Sequence, residues 1–254
     1  MYTIDKVTYR TKSAYKQQAG RSITFLVLHY TAGGFKPSAS ILTNGNVSAH
    51  YLVPAVHEKS YIDSGFNTQK IFNLVDESNV AWHAGISSWR GVKFLNNNSI
   101  GIENVNLASV VNNVYQFPPY EDEQIQALIY LCKDILSRNK NIPPRNVVAH
   151  SDISPGRKSD PGPKFPWDLL YKNGIGAWYD VSAYQNYQAQ FSSKLPTQSQ
   201  FLNKLSKYGY DINGGAGPKD LIRAFQLHFM PSSNFGVLDV NTAAALYALT
   251  DKYS

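Results

Sequence analysis

The chain has 254 residues, 43% of them hydrophobic and 17% charged, an ordinary globular balance that excludes extended disorder and leaves one large domain or a catalytic domain with a small companion. The formal charge of +6 calls for an acidic partner, for which nucleic acid, an anionic membrane surface and an anionic wall polymer are the fitting classes. The basic residues are scattered without a Lys/Arg run, so no nucleic acid is expected.

The longest early apolar run, Ile23 to Leu28, is too short for a transmembrane segment and lacks a signal-peptide cleavage pattern. It continues to Tyr30 as an apolar, β-branched stretch of strand length, which predicts a buried strand with His29 near its C-terminal end. A short helix is predicted over Ser38 to Thr43. Further strands are predicted at Val47 to Val53, Lys70 to Val75, Ser99 to Asn106 and Asn146 to His150, set apart by Gly, Pro, Asn and Ser clusters.

Between the last two strands, Ile125, Leu128, Ile129, Cys132, Ile135 and Leu136 recur at helical spacing behind the acidic start Glu121-Asp122-Glu123, and Pro143-Pro144 stops the helix. The single Cys132 excludes an internal disulfide and reads as a core residue of that helix. A helix is also predicted at Trp167 to Tyr171. Strands mixed with helices predict an α/β fold, a mixed central β-sheet flanked by helices.

Strand signals end near Gly174. Residues 176–197, rich in Tyr, Gln and Ser, read as a connector between a domain over 1–175 and a small all-α three-helix domain over 198–254. Its helices are predicted at Gln198 to Tyr208, Pro218 to Phe229 and Asp239 to Leu249.

Among six histidines, His29 and His150 both fall at C-terminal ends of predicted strands, where open sheets gather binding groups. The loop after His150 holds two carboxylates, Asp152 and Asp160. Two imidazoles and one carboxylate are a typical ligand set for catalytic Zn2+, with a fourth position left open. Spacing alone leaves Asp160, Asp152 and Glu103 open as the third ligand. Glu103 stands inside the apolar strand Ser99-Ile-Gly-Ile-Glu103, a placement that costs free energy without a partner and suits a general base. Lys158 shares the Asp160 loop and suits oxyanion stabilisation. Trp82 and His83 form a plausible wall for a sugar or peptide. His50 reads as structural, and His57 and His228 as surface or packing residues.

The motifs Phe25-Leu-Val-Leu-His-Tyr-Thr-Ala32, Ser48-Ala-His-Tyr51, Ala81-Trp-His-Ala-Gly85, Ser99-Ile-Gly-Ile-Glu103 and the His150 to Pro163 loop occur in order over about residues 20 to 170. Together they resemble the N-acetylmuramoyl-L-alanine amidase family. That resemblance implies Zn2+ on His29, His150 and Asp160, a glutamate base at Glu103, a basic residue at Lys158, and Thr31, Trp82 and His83 on the substrate side. It further implies hydrolysis of the amide between muramic acid, intact or 1,6-anhydro, and the L-alanine of the stem peptide, with peptidoglycan and muropeptides as partners.

Leu221-Ile-Arg-Ala-Phe-Gln-Leu-His-Phe229 and Gly236-Val-Leu-Asp-Val-Asn-Thr-Ala-Ala-Ala-Leu246 resemble a helical peptidoglycan-binding domain, which suggests attack on polymeric wall. The expected place of action is the periplasm or cell envelope, reached without a classical signal peptide. The competing expectation is a non-catalytic peptidoglycan-recognition protein, against which the intact ligand set speaks.

Overall fold

The computed structural model describes residues 2–18, 20–112, 114–232 and 235–253. Among them, β1 (Ile4–Asp5), β2 (Phe25–Tyr30), β3 (Tyr51–Val53), β4 (Ile71–Asn73), β5 (Ser99–Asn104) and β6 (Val147–Ala149) form one sheet in the order β1-β4-β3-β5-β2-β6. Neighbours run parallel except the antiparallel pair of β3 and β4. The central strands β2 and β5 are buried on both faces, which is why they read as continuous apolar runs.

Register decides which side chains share a face. Leu28 pairs with Ile102 and Leu26 with Ile100, and these four pack against α2 (Asp122–Arg138) through Ile125, Leu128, Ile129, Cys132 and Ile135. Because successive side chains alternate, the other face receives His29 opposite Glu103 and Val27 opposite Gly101. The β6 register runs from Val147 opposite Leu26 to Ala149 opposite Leu28, so the next residue, His150, arrives beside His29. On the His29 face, α1 (Phe35–Asn44) buries Phe35, Ala39 and Leu42 with Leu52 and Phe72.

Three sequence expectations change. The strand expected from Val47 begins only at Tyr51, because Ser48 leaves the sheet: its N–H donates to the Trp82 carbonyl and its hydroxyl to the Ala14 carbonyl. His150 does not end a strand but opens the four-residue helix α3 (His150–Ile153). Residues 176–197, expected as a connector, hold α5 (Val181–Ser193), which follows α4 (Trp167–Lys172). The Tyr-rich composition hid an apolar stripe: Tyr187 and Phe191 of α5 pack on Tyr247.

The C-terminal helices stand at α6 (Gln198–Tyr208), α7 (Pro218–Phe229) and α8 (Val240–Tyr253). They share a continuous apolar core with the sheet rather than forming a core of their own. Phe25, Val27, Trp89, Val148 and Ile153 are buried in one cluster with Phe201, Leu205, Phe225, Phe229 and Leu246. Trp89 meets Tyr208 and Tyr210 edge-on, with ring centroids 5.8 and 4.8 Å away. No helix among the described residues is long and apolar enough to cross a membrane.

Candidate active site

At the C-terminal ends of β2, β5 and β6 lies a cleft of about 350 Å³, lined by Tyr30, Thr31, Trp82, His83, Glu103 and the loop from Arg157 to Asp160. His29, His150 and Asp160 meet at its base, all buried. His29 Nδ1 lies 3.0 Å from His150 Nδ1 and 2.9 Å from Asp160 Oδ2, and His150 Nδ1 lies 3.0 Å from the same oxygen.

The outer partners of the two imidazoles fix where their protons sit. The Ser99 hydroxyl donates to the Leu95 carbonyl at 2.6 Å, so its oxygen accepts from His83 Nε2–H at 3.0 Å. His83 Nδ1 is then an acceptor and takes the proton of His29 Nε2 at 3.0 Å. On the other side, His150 Nε2 donates to the Ala84 carbonyl at 3.2 Å. Both Nδ1 atoms are thereby left with bare lone pairs aimed at a carboxylate oxygen.

Burial, then the neighbouring His150, lowers His29 to about 4, consistent with a neutral ring. Three acceptors facing one another with no proton between them repel, and a cation resolves that arrangement.

Glu103 stands apart from this trio. Its Oε2 is buried and has no hydrogen-bond partner among the described residues, although Glu103 lines the cleft. Burial, reinforced by the charge on Asp160, pushes this carboxyl well above its ordinary value, with Lys158 pulling the other way. Lys158 is exposed on the cleft wall.

Asp152 faces away from the cleft: Tyr210 and His228 donate to its oxygens at 2.5 and 2.7 Å. Trp82 is 42% exposed on the rim, and His83 is buried behind it. The Thr31 hydroxyl donates to the Gly33 carbonyl at 2.7 Å and accepts from Asn106 N–H at 3.2 Å, so its contribution to the cleft is a wall. His50 is buried, accepting from Gly101 N–H at 3.0 Å, and His57 is exposed beside Glu121. His228 is the packing residue of the two alternatives, buried with its ring stacked on Trp167.

Sequence reasoning missed Arg157 and Ser99. Arg157 lines the cleft and donates to the Ala84 and Ile86 carbonyls at 2.9 and 2.7 Å, and its only sequence signal was adjacency to Lys158. Ser99 aligns His83, a role that only the fold reveals.

Gly101 carries a further constraint. A Cβ there would lie under 3.0 Å from three atoms of the His83 ring, so Gly101→Ala must displace the ring that orients His29. The expected cost is about 1–3 kcal/mol, typical of overpacking. Thermal melts of the metal-free protein would measure it, and an unchanged midpoint would show that His83 has room to move.

The amidase family described as N-acetylmuramoyl-L-alanine amidase matches residues 19–163. The N-acetylmuramoyl-L-alanine amidase AmiD of Escherichia coli (strain K12) is 44% identical over 257 residues, covering 98% of this chain and 91% of that protein. A crystal structure of AmpDh3 from Pseudomonas aeruginosa in complex with anhydromuramic pentapeptide is 50% identical, covers 100% of this chain and 99% of that one, and superposes with a TM-score of 0.89. The E. coli AmiD complex with anhydro-N-acetylmuramic acid-L-Ala-D-gamma-Glu-L-Lys gives a TM-score of 0.81, at 44% identity over 97% of this chain and 93% of that one. Matched along nearly its whole length in sequence and in fold, the chain belongs to the N-acetylmuramoyl-L-alanine amidase family and is an enzyme of that class.

Proposed function

We propose that this protein is a zinc amidohydrolase that cleaves the amide between the lactyl group of N-acetylmuramic acid, including its 1,6-anhydro form, and the L-alanine of the stem peptide. The observation that carries the reading is the convergence of two bare imidazole nitrogens and one carboxylate oxygen at the base of the cleft. The donor set fits Zn2+, which His29 Nδ1, His150 Nδ1 and Asp160 Oδ2 would hold. Bound there, the ion supplies Lewis-acid polarisation of the amide carbonyl and lowers the pKa of water in the site.

The chain's own groups supply the proton transfers. Glu103 takes the proton of the attacking water as its oxygen bonds to the lactyl carbonyl carbon. It returns that proton to the alanine nitrogen as the C–N bond breaks, so carboxylic acid and free amine leave together. The Lys158 ammonium offsets the charge that builds on the carbonyl oxygen. Trp82 presents an aromatic face to the substrate at the rim, with Thr31 and His83 shaping the wall behind it.

The related AmpDh3 and AmiD complexes hold anhydromuramic peptides, which supports muropeptides and peptidoglycan as the substrates. The C-terminal helices, by their resemblance to wall-binding modules, hold the polymer. The periplasm or cell envelope is the place of action that this substrate and the +6 charge support.

Removal of the metal is expected to lower peptide release from purified sacculi by at least about 10²-fold, since several kcal/mol of charge stabilisation leave with it. Mass spectrometry of the products, before and after chelation and again after Zn2+ is restored, checks this. Undiminished release of stem peptide from a zinc-free protein would remove zinc from the reading.

A further inference from the structure

The metal-site turn is braced from outside the segment that matches the amidase family. His150 opens α3, a helix of only four residues, too short to hold its own geometry. Its first amides need partners, and Asp152 provides one, accepting from Ala149 N–H at 2.8 Å. The same turn is tied to the loop of the third ligand, where Ser151 N–H donates to the Asp160 carbonyl at 3.0 Å.

What fixes the Asp152 side chain lies far along the chain. Tyr210, just past α6, donates its hydroxyl to Oδ1 at 2.5 Å, and His228 of α7 donates from Nδ1 to Oδ2 at 2.7 Å. Asp152 is 1% exposed and His228 3% exposed. The His228 ring is itself clamped, with the Trp167 ring 3.7 Å away and the Phe229 ring 3.8 Å away, both stacked. Tyr210 is held by Trp89 at 4.8 Å. Every accepting position of Asp152 that matters to the turn is therefore set by a rigid donor, and two of the three donors lie beyond residue 163, where the family match ends.

We propose that Asp152 is a positioning residue through which the C-terminal helical unit sets the metal affinity of the amidase site, with Tyr210 and His228 as the donors that hold it. This rests on the metal reading of His29, His150 and Asp160. The helical unit thus has a second task besides any contact with the wall: it preorganises the His150 turn. Partners one step behind a metal ligand commonly change affinity by about 10- to 100-fold when removed.

The test measures the Zn2+ dissociation constant by competition with a chromophoric chelator, using the full chain. The variants are Tyr210→Phe, His228→Gln, the double variant, and Arg90→Ala as a control. Arg90 lies at the same junction, where its N–H donates to the Gly209 carbonyl and its guanidinium to Asn146, without touching Asp152.

Zinc binding is expected to weaken about 10-fold in Tyr210→Phe and His228→Gln and up to about 100-fold in the double variant. Circular dichroism of the metal-free forms is expected to stay native, and Arg90→Ala is expected to lower the melting midpoint while binding zinc as the unmodified protein does. Variants that melt earlier yet bind zinc within about twofold of the unmodified protein would reduce the brace to ordinary packing, as would equal weakening in Arg90→Ala. Should the double variant not fold, Tyr210→Phe, which loses one hydroxyl and no ring, decides alone. An unmodified protein that takes up no zinc would sink the metal reading itself, an outcome distinct from failure of the brace.

Discussion

Replacing Glu103 with Gln or Ala is expected to lower kcat by about 10²- to 10⁴-fold, the usual contribution of a positioned general base, while one zinc per chain stays bound. The two halves of that expectation come from different features of the site. Zinc is retained because Glu103 supplies none of the three converging atoms. Turnover is lost because Glu103 Oε2 is a buried carboxylate oxygen in the cleft without a partner among the described residues.

Such a group is costly to bury, and its raised pKa, caused by burial and by Asp160, brings it toward the range where a base can both take and return a proton. Gln keeps the shape and removes the basicity, which makes it the sharper of the two variants. Zinc content by elemental analysis and peptide release from the same preparation check both halves. Full turnover would take Glu103 out of the mechanism, and loss of zinc together with turnover would make it a ligand instead.

How far the sequence carries this site depends on the range of the interactions that build it. The β2 run and the α2 stripe are legible because burial imposes periodicity on consecutive residues. His29 and His150 stand out for the same reason, the first near the end of an apolar strand and the second just past one, and the sheet register aligns the two strands. β1 is only two residues, Ile4–Asp5, and its pairing with Ile71 leaves no periodic trace.

Asp152 and Asp160 are inseparable by spacing, since both follow His150 in one loop. What separates them is the pair of donors on Asp152, which lie 58 and 76 residues further along the chain. The family resemblance implies Asp160 as the metal ligand, and the structure removes one alternative that spacing left open: the Asp152 carboxylate is already taken by Tyr210 and His228. The histidine tautomers follow the same pattern, because Ser99 sets His83 across 16 residues and His83 sets His29 across 54.

The second large effect concerns the helical unit. A chain ending at residue 175 is expected to lose cooperative folding, in contrast to an enzyme that merely carries a binding module on a linker. Truncation would bare Phe25, Val27, Trp89, Val148 and Ile153, which the sheet side contributes to the shared core. At about 1.5–3 kcal/mol for each large apolar side chain returned to water, the loss is on the order of 10 kcal/mol, comparable with the whole stability of a typical domain.

The damage is not only apolar. Trp89 still donates its indole N–H to the Arg145 carbonyl but loses the rings of Tyr208 and Tyr210, and Asp152 loses the two side-chain donors that hold it against the His150 turn. The expected product is aggregated, or compact with native-like far-ultraviolet and lost near-ultraviolet circular dichroism. A monomeric 1–175 fragment that melts cooperatively within a few degrees of the full chain would show that the shared core is dispensable. It would also leave the C-terminal helices free to serve as an independent wall-binding module.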